Sequence, residues 1–227
     1  MLDSAVMSRR CSSRYERLAR QAGRRSIAGL DEAGRGALFG PVVAAAVILD
    51  PGRMVRGLDD SKKLSPERRE ELAPRIRERA VAWAVAQVEP ARIDAWNILQ
   101  ASRQAMTAAL GQLRVTPDYL LLDAVTLDVL LPQRSLIHGD ARSFSIAAAS
   151  ILAKVARDAL MVEWDARFPQ YNLRSNKGYG TPDHLEALRM HGPSPLHRFS
   201  FAPVREAAQW AQKADQQPLP FALQAGE

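Results

Sequence analysis

The sequence predicts an α/β protein with a mixed β-sheet flanked by helices. Apolar runs of strand length come first, and later ones alternate with longer helical patterns, an order typical of this class. The chain of 227 residues is long enough for one substantial domain with its own core. No stretch reaches the roughly 18 consecutive apolar residues of a transmembrane helix, so we expect no membrane span.

The predicted strands are short apolar segments bounded by turn residues. "SIAGL" (26–30) and "VVAAAVIL" (42–49) should pair as a hairpin, because Gly36 and Gly40-Pro41 mark a turn between them. The segment "AVAWAVAQV" (80–88) alternates, as a strand with one exposed face would. The remaining predicted strands span residues 119–124 and 135–140.

Capping residues and prolines mark the predicted helices. Ser65 and Pro66 open a helix as N-cap and first residue, and this helix should run to about Arg79 with a kink or break at Pro74. The other predicted helices span residues 90–113, 143–168 and 181–192. The buried face of the helix over 90–113 is predicted to consist of Ile93, Trp96, Leu99, Met106 and Leu110.

The composition is basic. There are 31 Lys and Arg against 25 Asp and Glu, which gives a formal net charge of +6 and a pI near 9.9. This balance favours a polyanionic partner. Cys11 is the single cysteine, so no intrachain disulfide can form and a reducing, cytoplasmic location is expected.

Four acids follow apolar runs. Asp31 and Glu32 end the first predicted strand, Asp123 ends another, and Asp140 follows a third. Sites in α/β proteins are built at strand ends, so we expect the four carboxylates to converge. Converging carboxylates repel one another unless cations neutralise them, and their hard oxygen atoms suit Mg²⁺ or Mn²⁺. Two such ions about 4 Å apart serve phosphodiester chemistry, which indicates a metal-dependent nuclease or phosphotransferase.

Each acid also has a purely structural interpretation. Asp31 could cap a turn, and Glu32 could form an ion pair with Arg35. Asp123 could begin a loop, and the charge of Asp140 could complement the positive end of the helix that follows. A fifth acid, Asp158, shares one helix face with Ser150 and Lys154. We expect Asp158 to pair with Lys154 four residues earlier, outside the catalytic set.

Two glycine-containing loops could contact a nucleic acid. In "AGRG", Gly34 and Gly36 leave the backbone open to a ligand, and Arg35 between them can contact a phosphate. In "SNKGYGTPDH" (175–184), Tyr179 could stack on a sugar or base and Lys177 could meet a phosphate. In "DDSKKL" (59–64), Lys62 and Lys63 are further phosphate contacts or an ordinary solvated charge run. A plain tight turn and a core-edge tyrosine are the structural alternatives for the two loops.

With these residues in hand, the sequence closely resembles ribonuclease HII over roughly residues 26–204. The matching segments occur in the expected order. They are "GLDEAGRGALFGPVVAAAVIL", "LDDSKKLSPERRE", "NILQASRQAM", "LLLDA", "GDARSFSIAAASILAKVARD", "KGYGTPDHLEAL" and "HGPSPLHRFSFAPV".

The resemblance implies a ribonuclease H-like fold with a C-terminal helical region. It implies cleavage of the RNA strand of RNA–DNA hybrids, and of single ribonucleotides in duplex DNA, on the 5′ side of the ribonucleotide. The products would carry 3′-OH and 5′-phosphate ends, and the activity would serve replication and repair. Two divalent ions, Mn²⁺ or Mg²⁺, would be held by the catalytic acids Asp31, Glu32, Asp123 and Asp140.

The same resemblance implies how the substrate is recognised. Gly34, Arg35 and Gly36 would sense the ribose 2′-OH, and Tyr179 would pack on the deoxyribose that follows. Ser150 and Lys154 would meet phosphate. The chain departs from the family at Asn176, where a histidine is common. Asn can donate a hydrogen bond but does not titrate near neutrality.

Three other interpretations are weighed against this one. Ribonuclease HIII shares the "DEAGRG" pattern but carries a long N-terminal extension, and about two dozen residues before the first strand are too few for one. A non-catalytic nucleic-acid-binding module would leave four acids unexplained. An integrase- or resolvase-like nuclease acting on DNA alone would not need a ribose 2′-OH.

The two ends are expected to lie outside the catalytic domain. Residues 1–25 are rich in Arg and Ser and lack the apolar core of a secretory signal, so a flexible basic arm is favoured over a transit peptide. Residues 205–227 are predicted to form a tail. Within it, "QQPLPF" (216–221) faintly resembles the peptides by which bacterial replication proteins dock on the sliding clamp, with a disordered tail as the alternative. Nothing in the sequence requires more than a monomer.

Overall fold

A computed structural model describes residues 11–215, with side chains described to residue 210. Its centre is a five-stranded mixed sheet with the strand order β3-β2-β1-β4-β5. The strands are β1 Ile27–Ala33, β2 Val42–Leu49, β3 Ala80–Val88, β4 Tyr119–Asp123 and β5 Gln133–Leu136. The first three pair antiparallel, which confirms the predicted β1–β2 hairpin, and β4 and β5 run parallel to β1.

Helices cover both faces of the sheet, and the last helices form a further region at the C-terminal end of the chain. They are α1 Arg14–Gln21, α2 Pro66–Arg79, α3 Pro90–Trp96, α4 Ile98–Gly111, α5 Phe144–Asp165, α6 Leu173–Asn176, α7 Pro182–His191 and α8 Ala202–Asp215, with a 3-10 turn at Pro169–Tyr171. Among the residues described, no helix is long and apolar enough to cross a membrane.

The sheet is the middle layer of three. Strand β2 is buried along its whole length, and its side chains alternate between two cores. Val42, Ala44 and their neighbours on that face pack against α4, while Ala45 and Val47 pack against α2 and α5. A strand buried on both faces needs a continuous apolar run, and "VVAAAVIL" supplies it.

A separate core holds the C-terminal helices against the domain. Phe39, from the loop after β1, packs edge-on against Trp164 of α5 and against His197. Tyr171 and Leu188 complete the same cluster. The predicted C-terminal helical region is therefore joined to the sheet through the loop that follows the first strand.

Two helix predictions are wrong in part. Helix α2 ends at Arg79 as predicted, but Pro74 does not split it, because Leu72, Ala73 and Ile76 on both sides of the proline are buried in one core. The single helix expected over 90–113 is two helices, separated at Asn97. Asn97 has φ 76° and its side chain caps α4 by accepting a hydrogen bond from the backbone N–H of Gln100 at 3.1 Å.

The change of direction at Asn97 alters which side chains are buried. Ile93 and Met106 are buried as predicted, but Trp96 and Leu99 are 39% and 38% exposed. These two residues flank Asn97, so the axis changes between them and the predicted apolar stripe does not continue across the break.

Both predicted end segments are partly structured. Helix α1 packs on the sheet, and its buried Glu16 accepts hydrogen bonds from the Ser143 hydroxyl (2.6 Å) and the backbone N–H of Ser145 (2.8 Å) at the start of α5. An acid at a helix N-terminus satisfies free N–H groups there. The flexible arm expected over 1–25 is therefore wrong for this helix, and the tail expected from residue 205 begins inside α8. Segment 216–221 lies outside the described residues.

Candidate active site

The acidic side chains meet at one edge of the sheet. Strand β1 continues to Ala33, three residues past its predicted end, so Asp31 and Glu32 lie within it, and β4 ends at Asp123. Because β1 and β4 are parallel neighbours, their carboxyl ends lie side by side. A cleft of about 300 Å³ opens there. It is lined by Asp31, Glu32, Ala33, Gly34, Arg35, Gly36, Ser61, Lys62, Asp123, Ser150, Lys154 and Tyr179.

Asp31 is buried at the base of the cleft, with 4% of its surface exposed. Its Oδ1 accepts a hydrogen bond from the backbone N–H of Glu32 at 2.7 Å. Burial raises the pKa of Asp31 well above its usual range, and the charges of Glu32 and Asp123 add to the rise. A hydrogen bond with Ser150 acts in the opposite direction. The site thus disfavours the ionised form of the Asp31 carboxyl group.

Glu32 has one oxygen engaged and one free of protein partners. Arg35 Nη1 lies 3.3 Å from Oε1, while the buried Oε2 has no hydrogen-bond partner among the described residues. Burial raises the pKa of Glu32, in spite of the opposing effect of Arg35. The ion pair that offered a structural explanation for Glu32 exists, but it satisfies only one oxygen.

Asp123, at the end of β4, is hydrogen-bonded to the turn that precedes Asp140. Asp123 Oδ1 accepts a hydrogen bond from the backbone N–H of Gly139 at 2.6 Å, and Asp140 Oδ2 lies 3.7 Å from Lys62 Nζ. Burial raises the pKa of Asp140, and the charges of Asp60 and Asp123 contribute to the rise. Asp140 is therefore within the electrostatic reach of the cluster, although it does not line the cleft.

The donor set fits hard divalent cations. Buried carboxylates whose pKa values are raised by their neighbours gain stability when a cation neutralises them, and the free Oε2 of Glu32 needs a partner. Among residues 11–215, no three acidic, histidine or cysteine side chains already surround a point that could hold an ion. The carboxylates of Asp31, Asp123 and Asp140 instead accept hydrogen bonds from the protein.

Asp158 is paired with two cations. Lys154 Nζ lies 2.8 Å from its Oδ1, and Arg69 Nη2 lies 3.7 Å from its Oδ2. It does not line the cleft. This geometry supports the interpretation of Asp158 as a helix acid paired with Lys154.

We expect Asp140→Asn to lower cleavage activity about 100-fold or more, and Asp158→Asn to lower it less than about 10-fold. The first change removes a charge from the acidic cluster, whereas the second removes a carboxylate already neutralised by cations. Steady-state cleavage assays on both purified variants, with unfolding curves as a control for folding, measure the difference. The reverse order of losses would exclude Asp140 as the fourth acid.

The glycine loop (Gly34–Gly36) is shaped by close contact with the core. Gly34 has φ +92°, a conformation that favours glycine, and a Cβ added to it would lie 2.0 Å from Arg157 Nε. Gly36 has open space around its Cα. One glycine therefore lets the loop lie against the protein, and the other leaves the backbone accessible from the cleft.

The tyrosine loop (175–184) is joined to the glycine loop. Ala37 and Tyr179 form an isolated antiparallel bridge, and Lys154 Nζ lies 5.4 Å from the centre of the Tyr179 ring. His184 Nδ1 bonds the Tyr179 carbonyl at 2.9 Å, and its Nε2 lies 3.1 Å from Nε2 of His197. A carbonyl only accepts, so His184 donates from Nδ1. Burial lowers the pKa of both histidines, that of His197 to about 3.

Asn176, the departure from the family pattern, supports the tyrosine loop from inside. Its Nδ2 donates to the Tyr171 carbonyl at 2.7 Å, and its Oδ1 accepts from the Gly178 N–H at 2.8 Å. The Lys177 side chain does not line the cleft, and its backbone carbonyl accepts from Arg157 Nη1 at 2.7 Å. In this chain position 176 therefore shapes the loop from a buried location.

Sequence reasoning missed several residues at the site. Ser61 lines the cleft, and its hydroxyl lies 2.8 Å from that of Ser150. The charge of Asp60 contributes to the raised pKa of Asp140. Ser61 and Asp60 lie in the "DDSKKL" segment, where only the lysines drew attention. Arg157 and Arg198 were missed because arginines on a helix and in a loop are normally solvent-exposed, whereas both are fully buried here.

Buried acids, an open glycine loop and basic side chains around one cleft define an enzyme that acts on a phosphodiester backbone. The ribonuclease HII family model matches residues 28–204. The ribonuclease HII of Solibacter usitatus is 57% identical over 208 residues, covering 92% of this chain and 91% of that protein. The chain belongs to the ribonuclease HII family. It is a type II ribonuclease H, a metal-dependent endonuclease acting on RNA–DNA hybrids.

Solved structures confirm the predicted fold. The ribonuclease H2 of Pyrococcus horikoshii has a TM-score of 0.72 and 26% identity, covering 83% of this chain and all of that one. The structure of the PCNA:RNase HII complex from Archaeoglobus fulgidus matches with a TM-score of 0.66 and 28% identity, covering 78% of this chain and 96% of the matched chain. The family assignment also excludes the non-catalytic binding module.

Proposed function

We propose that this enzyme incises duplex DNA at single embedded ribonucleotides, as well as the RNA strand of hybrids, during ribonucleotide removal in replication and repair. Cleavage falls on the 5′ side of the ribonucleotide and leaves 3′-OH and 5′-phosphate ends. One observation carries the proposal. Asp31, Glu32 and Asp123 line the same cleft as the glycine loop and Tyr179, so a nucleotide at these acids would contact both loops.

Discrimination between RNA and DNA follows from the loop backbone. The 2′-OH is the group that distinguishes a ribonucleotide, and it can both donate and accept a hydrogen bond. Gly36 leaves its side of the loop open, while the carbonyls of Gly34 and Arg35 already accept hydrogen bonds from Ala37 and Arg198. The N–H groups of the loop and the Gly36 carbonyl are therefore the groups that would meet a bound sugar. Tyr179 lines the cleft and is half-buried, so a following deoxyribose could pack on it. A ribonucleotide followed by a deoxyribonucleotide would satisfy both loops.

Basic side chains around the acids would receive the phosphates. Arg35 is 44% and Lys62 is 82% exposed, so both can turn towards a substrate. Lys154 and the Ser150 hydroxyl lie on the α5 side of the cleft. A phosphate there would be held by charge-assisted hydrogen bonds. We assign Lys177 a weaker role in phosphate binding from outside the cleft.

The acids Asp31, Glu32, Asp123 and Asp140 would hold two divalent ions, Mg²⁺ or Mn²⁺. When bound, the ions supply charge stabilisation as the phosphodiester bond breaks. Water supplies the oxygen that is added to phosphorus as the bond to the 3′ oxygen breaks, and the protein contributes the fixed carboxylates, among them the buried Asp31. The Ser150 hydroxyl, which lies 2.8 Å from that of Ser61, lines the cleft with Asp31.

The direct test is cleavage of an end-labelled duplex containing one ribonucleotide, with Mg²⁺, Mn²⁺ or EDTA. We expect metal-dependent incision at the bond 5′ to the ribonucleotide. A DNA ligase should rejoin the nick, because ligation requires the 3′-OH and 5′-phosphate ends that we propose. The matched control is the same duplex in DNA alone, which should remain intact. Equal cleavage of both duplexes would support a DNA nuclease in place of this proposal.

We further propose that residues 216–221 dock on a sliding clamp and that the enzyme acts as a cytoplasmic monomer. The related structure from Archaeoglobus fulgidus is a complex with PCNA, which is consistent with docking of this kind. A peptide of residues 210–227 should bind purified clamp, and Phe221→Ala in that peptide should abolish binding. No detectable binding of the unmodified peptide would reject the docking proposal.

A further inference from the structure

Arg157 is a buried cation held by backbone carbonyls. It projects from α5 and has 0% exposure. Its Nε donates to the Pro41 carbonyl at 3.2 Å, its Nη2 to that of Phe39 at 3.0 Å and its Nη1 to that of Lys177 at 2.7 Å. It forms no ion pair with any carboxylate in the described part of the chain. The three carbonyl dipoles, fixed in the plane of the guanidinium, compensate its charge.

The same guanidinium contacts both recognition loops. Gly34 lies so close that an added Cβ would be 2.0 Å from Nε and 2.5 Å from Cδ of Arg157. The Tyr179 ring centre is 5.4 Å from Arg157 Cζ, and the carbonyl of Lys177, within the tyrosine loop, is one of its acceptors. One rigid, planar group therefore touches both loops, which are also joined to each other by the Ala37–Tyr179 bridge.

We propose that Arg157 is a positioning residue that fixes the separation of the glycine loop and Tyr179, and so sets the preference for an RNA–DNA junction. The inference rests on the proposed function of these two loops. A junction is recognised only when a ribose and the next deoxyribose fit the two loops at once. A misplacement of about 1 Å can lower a rate by about 100-fold, so a rigid spacer between the loops has a measurable effect.

Arg198 provides a matched control. It is also 0% exposed, and it donates to the carbonyls of Gly40 at 3.0 Å and Arg35 at 2.9 Å. These hydrogen bonds hold the glycine loop and its continuation, and none reaches the tyrosine loop. We therefore expect Arg198→Lys to lower cleavage of every ribonucleotide-containing substrate to a similar extent.

The test is Arg157→Lys, which keeps the charge but cannot hold three carbonyls in one plane. For a single embedded ribonucleotide, we expect kcat/KM to fall about 10- to 100-fold. For a continuous RNA–DNA hybrid, the fall should be less than about threefold, because a ribose follows each ribose and the junction contact is not made. Arg157→Gln, which removes the buried charge, should show the same selectivity and serves if the lysine variant does not fold.

A double-mutant cycle distinguishes positioning from general support of the fold. If Arg157 acts through Tyr179, Arg157→Lys combined with Tyr179→Ala should lose no more junction cleavage than Tyr179→Ala alone. Additive losses, or equal losses on both substrates, would overturn the inference. If the wild-type enzyme cuts hybrids but leaves single ribonucleotides intact, the proposed function fails and the inference fails with it. Wild-type cleavage of both substrates with equal losses in the variants rejects the inference alone.

Discussion

Asp31→Asn is expected to lower cleavage about 1,000-fold while raising the stability of the metal-free protein. The carboxylate is buried beside Glu32 and Asp123, so its ionised form is disfavoured and its pKa is raised. Asparagine removes the charge and keeps an oxygen that can accept the hydrogen bond from the Glu32 N–H. The loss of activity would therefore come from lost chemistry in a protein that still folds.

The stability gain should depend on pH in a defined direction. A raised pKa in the folded state means that ionisation of Asp31 opposes folding, and the penalty is absent below the unfolded value, about 3.9. It grows as the pH rises from the unfolded pKa to the folded pKa and is constant above that. The variant should thus match the wild-type free energy of unfolding near pH 3 and exceed it at pH 7.

Denaturant unfolding in EDTA at these two pH values measures the gain, and Asp158→Asn is the control. Asp158 is paired with Lys154 and Arg69, so its removal should not stabilise the protein. Added Mg²⁺ or Mn²⁺ should raise the melting temperature of the wild type more than that of Asp31→Asn, because ligand binding stabilises the folded state. A less stable Asp31→Asn variant at pH 7 would assign this carboxylate a structural role.

The sheet and its acids were predictable because their signals are local. An unbroken apolar run such as "VVAAAVIL" can only be a buried element, and β2 is buried on both faces. Acids that follow such runs lie at strand ends, and parallel pairing of β1 with β4 brings Asp31 and Asp123 together. The pattern of residues along the chain indicates the strands and the acids that follow them, whereas the pairing of β1 with β4 is given only by the structure.

The elements that were mispredicted depend on distant contacts. Pro74 would break an isolated helix, but burial of Leu72 and Ile76 against α5 and the sheet holds α2 together. Arg157 resembles a surface residue of α5 until the loops carrying Pro41 and Lys177 fold over it. These acceptors lie 116 and 20 residues away along the chain. Helical periodicity relates only residues within a few turns, so it could not predict these contacts.

Gly29→Ala is expected to cause the largest loss of stability, about 3 kcal/mol or more. Its φ is unremarkable, so the effect comes from contact alone. An added Cβ would lie 2.1 Å from the carbonyl carbon of Ser145 and 2.5 Å from the backbone nitrogen of Ile146, at the start of α5. Backbone atoms cannot rotate away as a flexible side chain can. Helix α5 would have to move off β1 as a unit.

That movement links the stability effect to the site. Gly29 and Asp31 lie two residues apart on β1, so both face α5, and Ser150 on that helix lines the same cleft as Asp31. Gly111→Ala is the control, because nothing lies within 4 Å of its added Cβ at the end of α4. Thermal unfolding should show a fall of about 6 °C or more for Gly29→Ala and no loss for Gly111→Ala. Equal melting temperatures would mean that α5 does not rest on β1 at this glycine, and the contact that places Ser150 beside Asp31 would need another origin.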